Sequence, residues 1–331
     1  MKRVSVIGAG SWGTALAVLL AHNGHEVTIW SHDPYEIEML STKREQADKL
    51  PGVKLPENVK VSSDMEESLK GMDVVVMAVP SPVVRSVAKQ MAPSISDGQI
   101  IVNVAKGIED ETYMTLTDII EEEIPNAEVC VLSGPSHAEE VGRGIPTTVV
   151  VGSKKKEVAE LLQDVFMNEV FRVYTNPDII GIELGGALKN VIALAAGTTD
   201  GLGFGDNTKA ALMTRGIAEL TRLGVALGGK PETFSGLTGI GDLIVTCTSV
   251  HSRNRKAGYL IGQGMTADEA MKEVKMVVEG VYSAKAALGL AKKYGVSVPI
   301  VEAVNKVLFE NADPREEVSN LLLRERRKEH N

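Results

Sequence analysis

At 331 residues the chain exceeds what one hydrophobic core usually supports, and a prior of about 150 residues per domain points to two domains. Hydrophobic residues at 44% and charged residues at 24% fit a water-soluble globular chain and exclude a disordered one. A net charge of −9 opposes general affinity for nucleic acid, whose phosphates demand a basic surface.

The first strand follows Met1-Lys2-Arg3 at once, and Gly8 and Gly10 interrupt the apolar run that a signal peptide would keep continuous. No stretch reaches about 18 unbroken apolar residues, so no membrane span is expected. Short β-branched runs then alternate with helical patterns: Val4 to Ile7, Glu26 to Trp30, Asp73 to Val79, Ile100 to Ala105, Glu128 to Leu132 and Thr147 to Val151. Runs such as Val74-Val75-Val76-Met77 belong to strands covered on both faces, as in a parallel sheet with crossover helices. The expected fold is an α/β, Rossmann-like doubly wound N-terminal domain over residues 1–176. After Asn176 strand-like runs give way to glycine-punctuated helical periodicity, so residues 177–331 read as an all-α C-terminal domain. Its helix signals are the Thr266/Glu269 capping box, Gly295 at a helix end, and Asp313-Pro314 with Glu316 at a helix start. The Arg324 to Lys328 cluster, with Glu325 and Glu329 interspersed, reads as a solvated helix end.

Gly8-Ala9-Gly10-Ser11-Trp12-Gly13 is a G-x-G-x-x-G placed after a strand and opening a helix, where a dinucleotide pyrophosphate would rest. Gly8 permits the tight turn, Gly10 lets backbone approach the phosphates, and Gly13 lets the helix pack closely, while the helix N-terminus supplies amide donors. Ser11 and Trp12 then lie beside the phosphates. An acid at the end of the second strand would grip the adenine ribose of NAD. The chain has Trp30-Ser31-His32-Asp33 there instead. His32 could face a 2′-phosphate, whereas Asp33 comes late and would repel one. NAD and NADP both stay open, with a lean to NADP or dual use.

Reducing a carbonyl by hydride needs a proton donor at the developing alkoxide, and a lysine of lowered pKa can serve. Lys106 follows the strand from Ile100 to Ala105, at the carboxyl edge where open sheets bind ligands. Lys189 lies on a second-domain helix, and Gly185, Gly186 and Ala193 give its head a face of very small side chains. Gly134 and Ser136 sit in a backbone-rich loop after another strand. His137, beside Gly134 and Pro135, reads as a structural histidine. Asp242 follows a glycine cluster and is either a helix cap or the partner of a lysine or substrate hydroxyl. Ser252-Arg253-Asn254-Arg255 offers donors suited to a phosphate, or else opens a solvated helix. The two cysteines, Cys130 and Cys247, lie far apart in apolar surroundings and read as buried small hydrophobes in a reducing cytoplasm. No metal site is expected.

These segments together resemble the bacterial form of the NAD(P)-dependent glycerol-3-phosphate dehydrogenase family along nearly the whole chain. The resemblance rests on Gly8 to Thr14, Lys106-Gly107, Leu132 to Ser136, Leu188-Lys189-Asn190, Gly239 to Leu243, Ser252-Arg253-Asn254 and Val277 to Gly280. It implies reversible reduction of dihydroxyacetone phosphate to sn-glycerol 3-phosphate, the backbone precursor of glycerophospholipids, by a homodimer. It implies Lys189 as proton donor and acceptor, Lys106 at both substrate and nicotinamide, and Asp242, Thr246 and Asn190 positioning Lys189 and substrate. Arg253 and Asn254 would take the phosphate, with Arg253 also near the cofactor. Gly134, Ser136 and Ala138 would line the pocket, and Val277 and Glu279 would close over the cofactor. The chain departs from the family pattern at Ser31 to Asp33, because bacterial members often carry a basic residue near Asp33. β-Hydroxyacid and 6-phosphogluconate-type dehydrogenases also join a Rossmann domain to helices. They place an asparagine three or four residues after the catalytic lysine, whereas Asn190 follows Lys189 directly. A dinucleotide-sensing module without turnover would leave Lys106, Lys189 and Asp242 without a task.

Overall fold

A computed structural model describes residues 1–326, 328 and 329. Eight strands form one sheet: β1 (Arg3–Ile7), β2 (Glu26–Trp30), β3 (Lys60–Ser62), β4 (Val74–Met77), β5 (Ile100–Asn103), β6 (Glu128–Ser133), β7 (Thr147–Gly152) and β8 (Phe171–Thr175), in the order β3-β2-β1-β4-β5-β6-β7-β8. The order reverses between β1 and β4, where an open α/β sheet parts its loops to admit a ligand. Valines fill both faces: Val4, Val6, Val74 and Val76 face one buried cluster, and Ile7, Val75 and Met77 the other. Helices cover both faces, so these strands carry apolar side chains continuously rather than alternately.

Several details differ from the sequence expectation, β4 among them, which ends at Met77 rather than Val79. β5 stops at Asn103, whose side chain accepts from Ala105 N at 3.1 Å and donates to Ala105 O at 3.1 Å, turning the chain before Lys106. β7 runs antiparallel to β6, because the connection between them holds only the four-residue helix Ala138–Val141 and lacks a full crossover helix. β3 and β8 were not anticipated. β3 is a three-residue edge strand, and β8 pairs in parallel with β7.

Beyond Thr175 the described residues hold helices only. Asp178 caps the 23-residue helix Ile179–Gly201, accepting from Gly181 N at 3.0 Å. The composition of this helix would suit a membrane span, with an 18-residue window of mean hydropathy 1.6, yet 89% of that window is buried within the protein. It forms the hub of the helical cluster around Leu184, Leu188, Val191 and Leu194. The helix Arg253–Gly262 crosses it with Gly258 against the Leu194 carbonyl and Gly197 against the Arg255 carbonyl, so backbones touch where a side chain would hold them apart. The anticipated helix signals are present: Thr266 and Glu269 form a reciprocal capping box, Gly295 ends its helix at φ 66°, and Asp313 accepts from Glu316 N at 2.9 Å. Arg324, Glu325, Arg326, Lys328 and Glu329 are exposed beyond the helix Pro314–Leu322, while Arg327, also part of that basic cluster, lies outside the described residues with His330 and Asn331. Cys130 and Cys247 are buried free thiols.

Candidate active site

A cleft of about 910 Å³ runs from the glycine turn to the helical domain. At one end Gly8 adopts φ +116°, and a Cβ there would press on the Ala78 backbone. Gly13 packs against Gly8, which brings the N-terminus of the helix Ser11–His22 close to the sheet. Gly10, the N-cap, has no side chain to satisfy the first amides of that helix, and its first turn carries no acid. Gly8, Gly10, Ser11 and Trp12 line the cleft, so amide donors and the positive helix end face into it, as a pyrophosphate requires.

The adenosine end differs from the sequence expectation at Asp33. Its Oδ1 accepts from Tyr35 N at 2.9 Å and caps the helix Pro34–Lys43, and the residue lies outside the cleft lining, whereas Ser31 and His32 lie within it. The acid at this end is Glu36, which sequence reasoning missed because it comes a helical turn later. Buried, it accepts from Ser31 Oγ at 2.5 Å and Gln46 Nε2 at 3.2 Å and pairs with Lys49. Gln46 also donates to Ala9 O at 2.8 Å, tying this network to the glycine turn.

The other end is built around one carboxylate. Asp242 opens the helix Asp242–Thr248 after a wide turn over Leu237–Gly241. Its Oδ1 accepts from Lys189 Nζ at 2.6 Å and its Oδ2 from Lys106 Nζ at 2.7 Å. Asp242 is therefore both a helix start and a lysine partner. Lys106 Nζ also donates to Gly134 O at 2.9 Å, and Lys189 Nζ to Thr246 Oγ1 at 2.7 Å. Thr246 in turn donates to the Asp242 carbonyl one turn back at 2.6 Å. Each ammonium thus spends two of its three hydrogens, with no third partner among the described residues. The small face beside Lys189 serves close packing: a Cβ on Gly186 would meet Ser133 and the Lys106 stem, and one on Gly185 the Thr238 backbone.

Burial drives the Lys189 ammonium down to about 8, with Asp242 pulling against it and Lys106 pushing further down. Burial alone would raise the Asp242 carboxyl, but Lys106 and Lys189 outweigh it and hold it below its ordinary value. A lysine that titrates near neutrality exchanges protons readily; an ordinary surface lysine does not.

Ser252 caps the helix Arg253–Gly262, accepting from Arg255 N at 3.2 Å. Arg253 lines the cleft and its guanidinium forms no ion pair among the described residues. Asn254 is more committed than the sequence suggested: it donates to Asn190 Oδ1 at 2.9 Å and accepts from Gly280 N at 2.9 Å, leaving one amide hydrogen for a ligand. Ser136 donates to Gly134 O at 2.9 Å, and Ser136 and Ala138 lie on the cleft wall, as do Val277 and Glu279. Glu279 accepts from Ser81 N at 3.1 Å and from Ser81 Oγ, joining the loop after β4 to the helix Glu279–Tyr294. Burial raises its carboxyl above the ordinary value. Sequence reasoning missed Ser81, although it follows a strand at the carboxyl edge of the sheet.

Two family models cover almost the entire chain. Residues 3–159 match the N-terminus, and residues 178–319 the C-terminus, of NAD-dependent glycerol-3-phosphate dehydrogenase. The chain belongs to this family. It is similar to the glycerol-3-phosphate dehydrogenase [NAD(P)+] of Agathobacter rectalis, 65% identical over 100% of this chain and 98% of that one. The protein of the same description from Fusobacterium nucleatum is 61% identical, covering 99% of each. The crystal structure of glycerol-3-phosphate dehydrogenase from Coxiella burnetii superposes with a TM-score of 0.94 at 37% identity, covering 98% of this chain and 99% of that one. A ketopantoate reductase from Ralstonia eutropha, 17% identical at a TM-score of 0.61, shares the fold alone.

Proposed function

We propose that this member of the family catalyses the reversible reduction of dihydroxyacetone phosphate to sn-glycerol 3-phosphate with NAD(P)H, and so feeds glycerophospholipid synthesis. The observation that carries the mechanism is the buried Lys189, held by Asp242 and Thr246 with one hydrogen to spare. Bound NAD(P)H supplies the hydride to C2 of the ketone. The Lys189 ammonium donates its free hydrogen to the C2 oxygen as negative charge develops there, and becomes a neutral amine. In the reverse direction the amine removes that proton. Lys106 keeps a second positive charge beside the reacting oxygen, and Asp242 fixes the spacing of the two lysines. Thr246 and Asn190 position Lys189 and the substrate. Arg253, the amides opening the helix after Ser252, and the spare hydrogen of Asn254 take the phosphate. Ser136 and Ala138 wall the substrate and nicotinamide, Gly134, outside the cleft lining, backs them by holding Lys106 and Ser136 through its carbonyl, and Val277 and Glu279 border the cofactor.

The glycine turn, with Ser11 and Trp12, would hold the pyrophosphate. At the adenosine end, His32 lines the cleft, Lys49 there is paired with Glu36, whose carboxylate is held by Ser31 and Gln46, and Asp33 is turned into a helix cap. These features favour NADPH slightly over NADH, with both accepted. We further propose a homodimer in a reducing cytoplasm, residues 1–176 binding cofactor and 177–331 substrate. The deciding experiment is a spectrophotometric assay of dihydroxyacetone phosphate with each reduced cofactor. Oxidation of both, with kcat/KM somewhat higher for NADPH, is expected; no oxidation of either would remove the reading, and a strong NADH preference would remove the coenzyme part.

A further inference from the structure

His137 does not behave as the structural histidine that its glycine and proline neighbours suggested. It stands at the N-cap position of the helix Ala138–Val141, with φ −67° and ψ 130°, yet its ring caps nothing. Its Nε2 is buried and has no hydrogen-bond partner among the described residues. Buried polar atoms in folded proteins are nearly always paired, so an unpaired one on a residue that lines a ligand cleft is open to a ligand that the ring turns to meet. His137 shares the cleft wall with Lys106, Lys189, Asp242 and Arg253. The ring of His251 lies 5.9 Å away, tilted by 57°, and packs on it without bonding to it.

The next step rests on the reaction proposed above. A three-carbon ketone phosphate offers three polar handles: the C2 oxygen, the phosphate and the C1 hydroxyl. Lys189 answers the first, and Arg253 with the helix start after Ser252 answers the second. A hydroxyl both donates and accepts, so a single uncharged nitrogen can meet it in either tautomer, whereas another cation would compete for the phosphate. Neutral imidazole has one donor and one acceptor nitrogen. Burial, then Lys189 and Lys106, disfavour the imidazolium, and Glu139 and Asp242 only partly offset them, so the ring titrates below its ordinary value.

We propose that His137 Nε2 hydrogen-bonds the C1 hydroxyl of the substrate, making His137 a specificity residue that selects a hydroxymethyl ketone phosphate over its methyl ketone counterpart. The test compares kcat/KM for dihydroxyacetone phosphate and hydroxyacetone phosphate in the wild type, His137→Ala and His137→Gln. Sites built to bond a substrate hydroxyl reject analogues that lack it strongly. His137→Ala should lose roughly 10- to 100-fold on dihydroxyacetone phosphate and less than about threefold on hydroxyacetone phosphate. His137→Gln, which keeps a donor and an acceptor, should recover most of the preference. NADPH affinity, measured by fluorescence titration, should stay within about twofold in each variant if the fold is intact. Equal losses on both substrates, or no loss on either, would overturn the assignment. A wild type inactive on both would instead overturn the proposed reaction.

Discussion

Lys106 and Lys189 share one carboxylate, each bonded to a different oxygen of Asp242 at 2.7 and 2.6 Å. Two cations on one buried anion leave the cluster with a net positive charge. That charge favours a developing oxyanion, while burial, helped by Lys106 and opposed by Asp242, makes the proton on Lys189 easier to release.

The pH dependence follows from that balance. On the proposed mechanism reduction uses the ammonium of Lys189, so its kcat/KM should fall as pH rises through about 8, and oxidation, which uses the amine, should rise across the same range. Asp242→Asn removes the negative charge that favours the protonated form. Both limbs should then move to lower pH, together with a lower kcat because the lysines lose their common anchor. Full pH profiles in both directions check this, and an unmoved limb would contradict the assignment of that limb to Lys189.

Arg253 faces the cleft without an ion-pair partner among the described residues, beside the amides that open the helix after Ser252. Arg253→Ala should raise KM for dihydroxyacetone phosphate roughly 10- to 100-fold, the worth of a charge-assisted contact, with a smaller change in kcat. Unphosphorylated dihydroxyacetone, assayed at high concentration, should lose little. Equal losses on the two substrates would take the phosphate away from Arg253.

Where the helices Ile179–Gly201 and Arg253–Gly262 cross, a Cβ on Gly258 would overlap the Leu194 carbonyl. The added methyl must push the helices apart, so Gly258→Ala should cost about 1–3 kcal/mol, with Tm falling by several degrees in a thermal melt. Because this crossing also carries Lys189 on one helix and Arg253 on the other, activity should fall with stability. An unchanged Tm would mean that the crossing relaxes freely.

Much of this arrangement was legible locally. The glycine turn, the buried strands and the caps at Thr266 and Asp313 announce themselves because each depends on residues within a few positions of one another. Lys189 stood out for its small neighbours, although the space they leave is taken by the Lys106 stem and the Thr238 backbone. Long-range pairing was not legible. Lys106 and Lys189 meet Asp242 across 136 and 53 residues of chain, and Glu279 meets Ser81 across 198. β3 escaped because three residues carry little periodicity. Glu36 escaped because the acid sits on a helix rather than at a strand end. The unpartnered Nε2 of His137 was not legible either, because its immediate neighbours suggest only a tight loop and burial depends on distant segments.

The central claim is that Lys189 moves the proton, and the measurement closest to it is the kcat of Lys189→Met with the cofactor affinity determined alongside. Methionine fills the volume and removes the ammonium. NADPH binding should be nearly unchanged while kcat falls by about 10² to 10⁴, the range expected for loss of a general acid. Turnover near the wild-type rate, in a variant that still binds cofactor, would contradict the account.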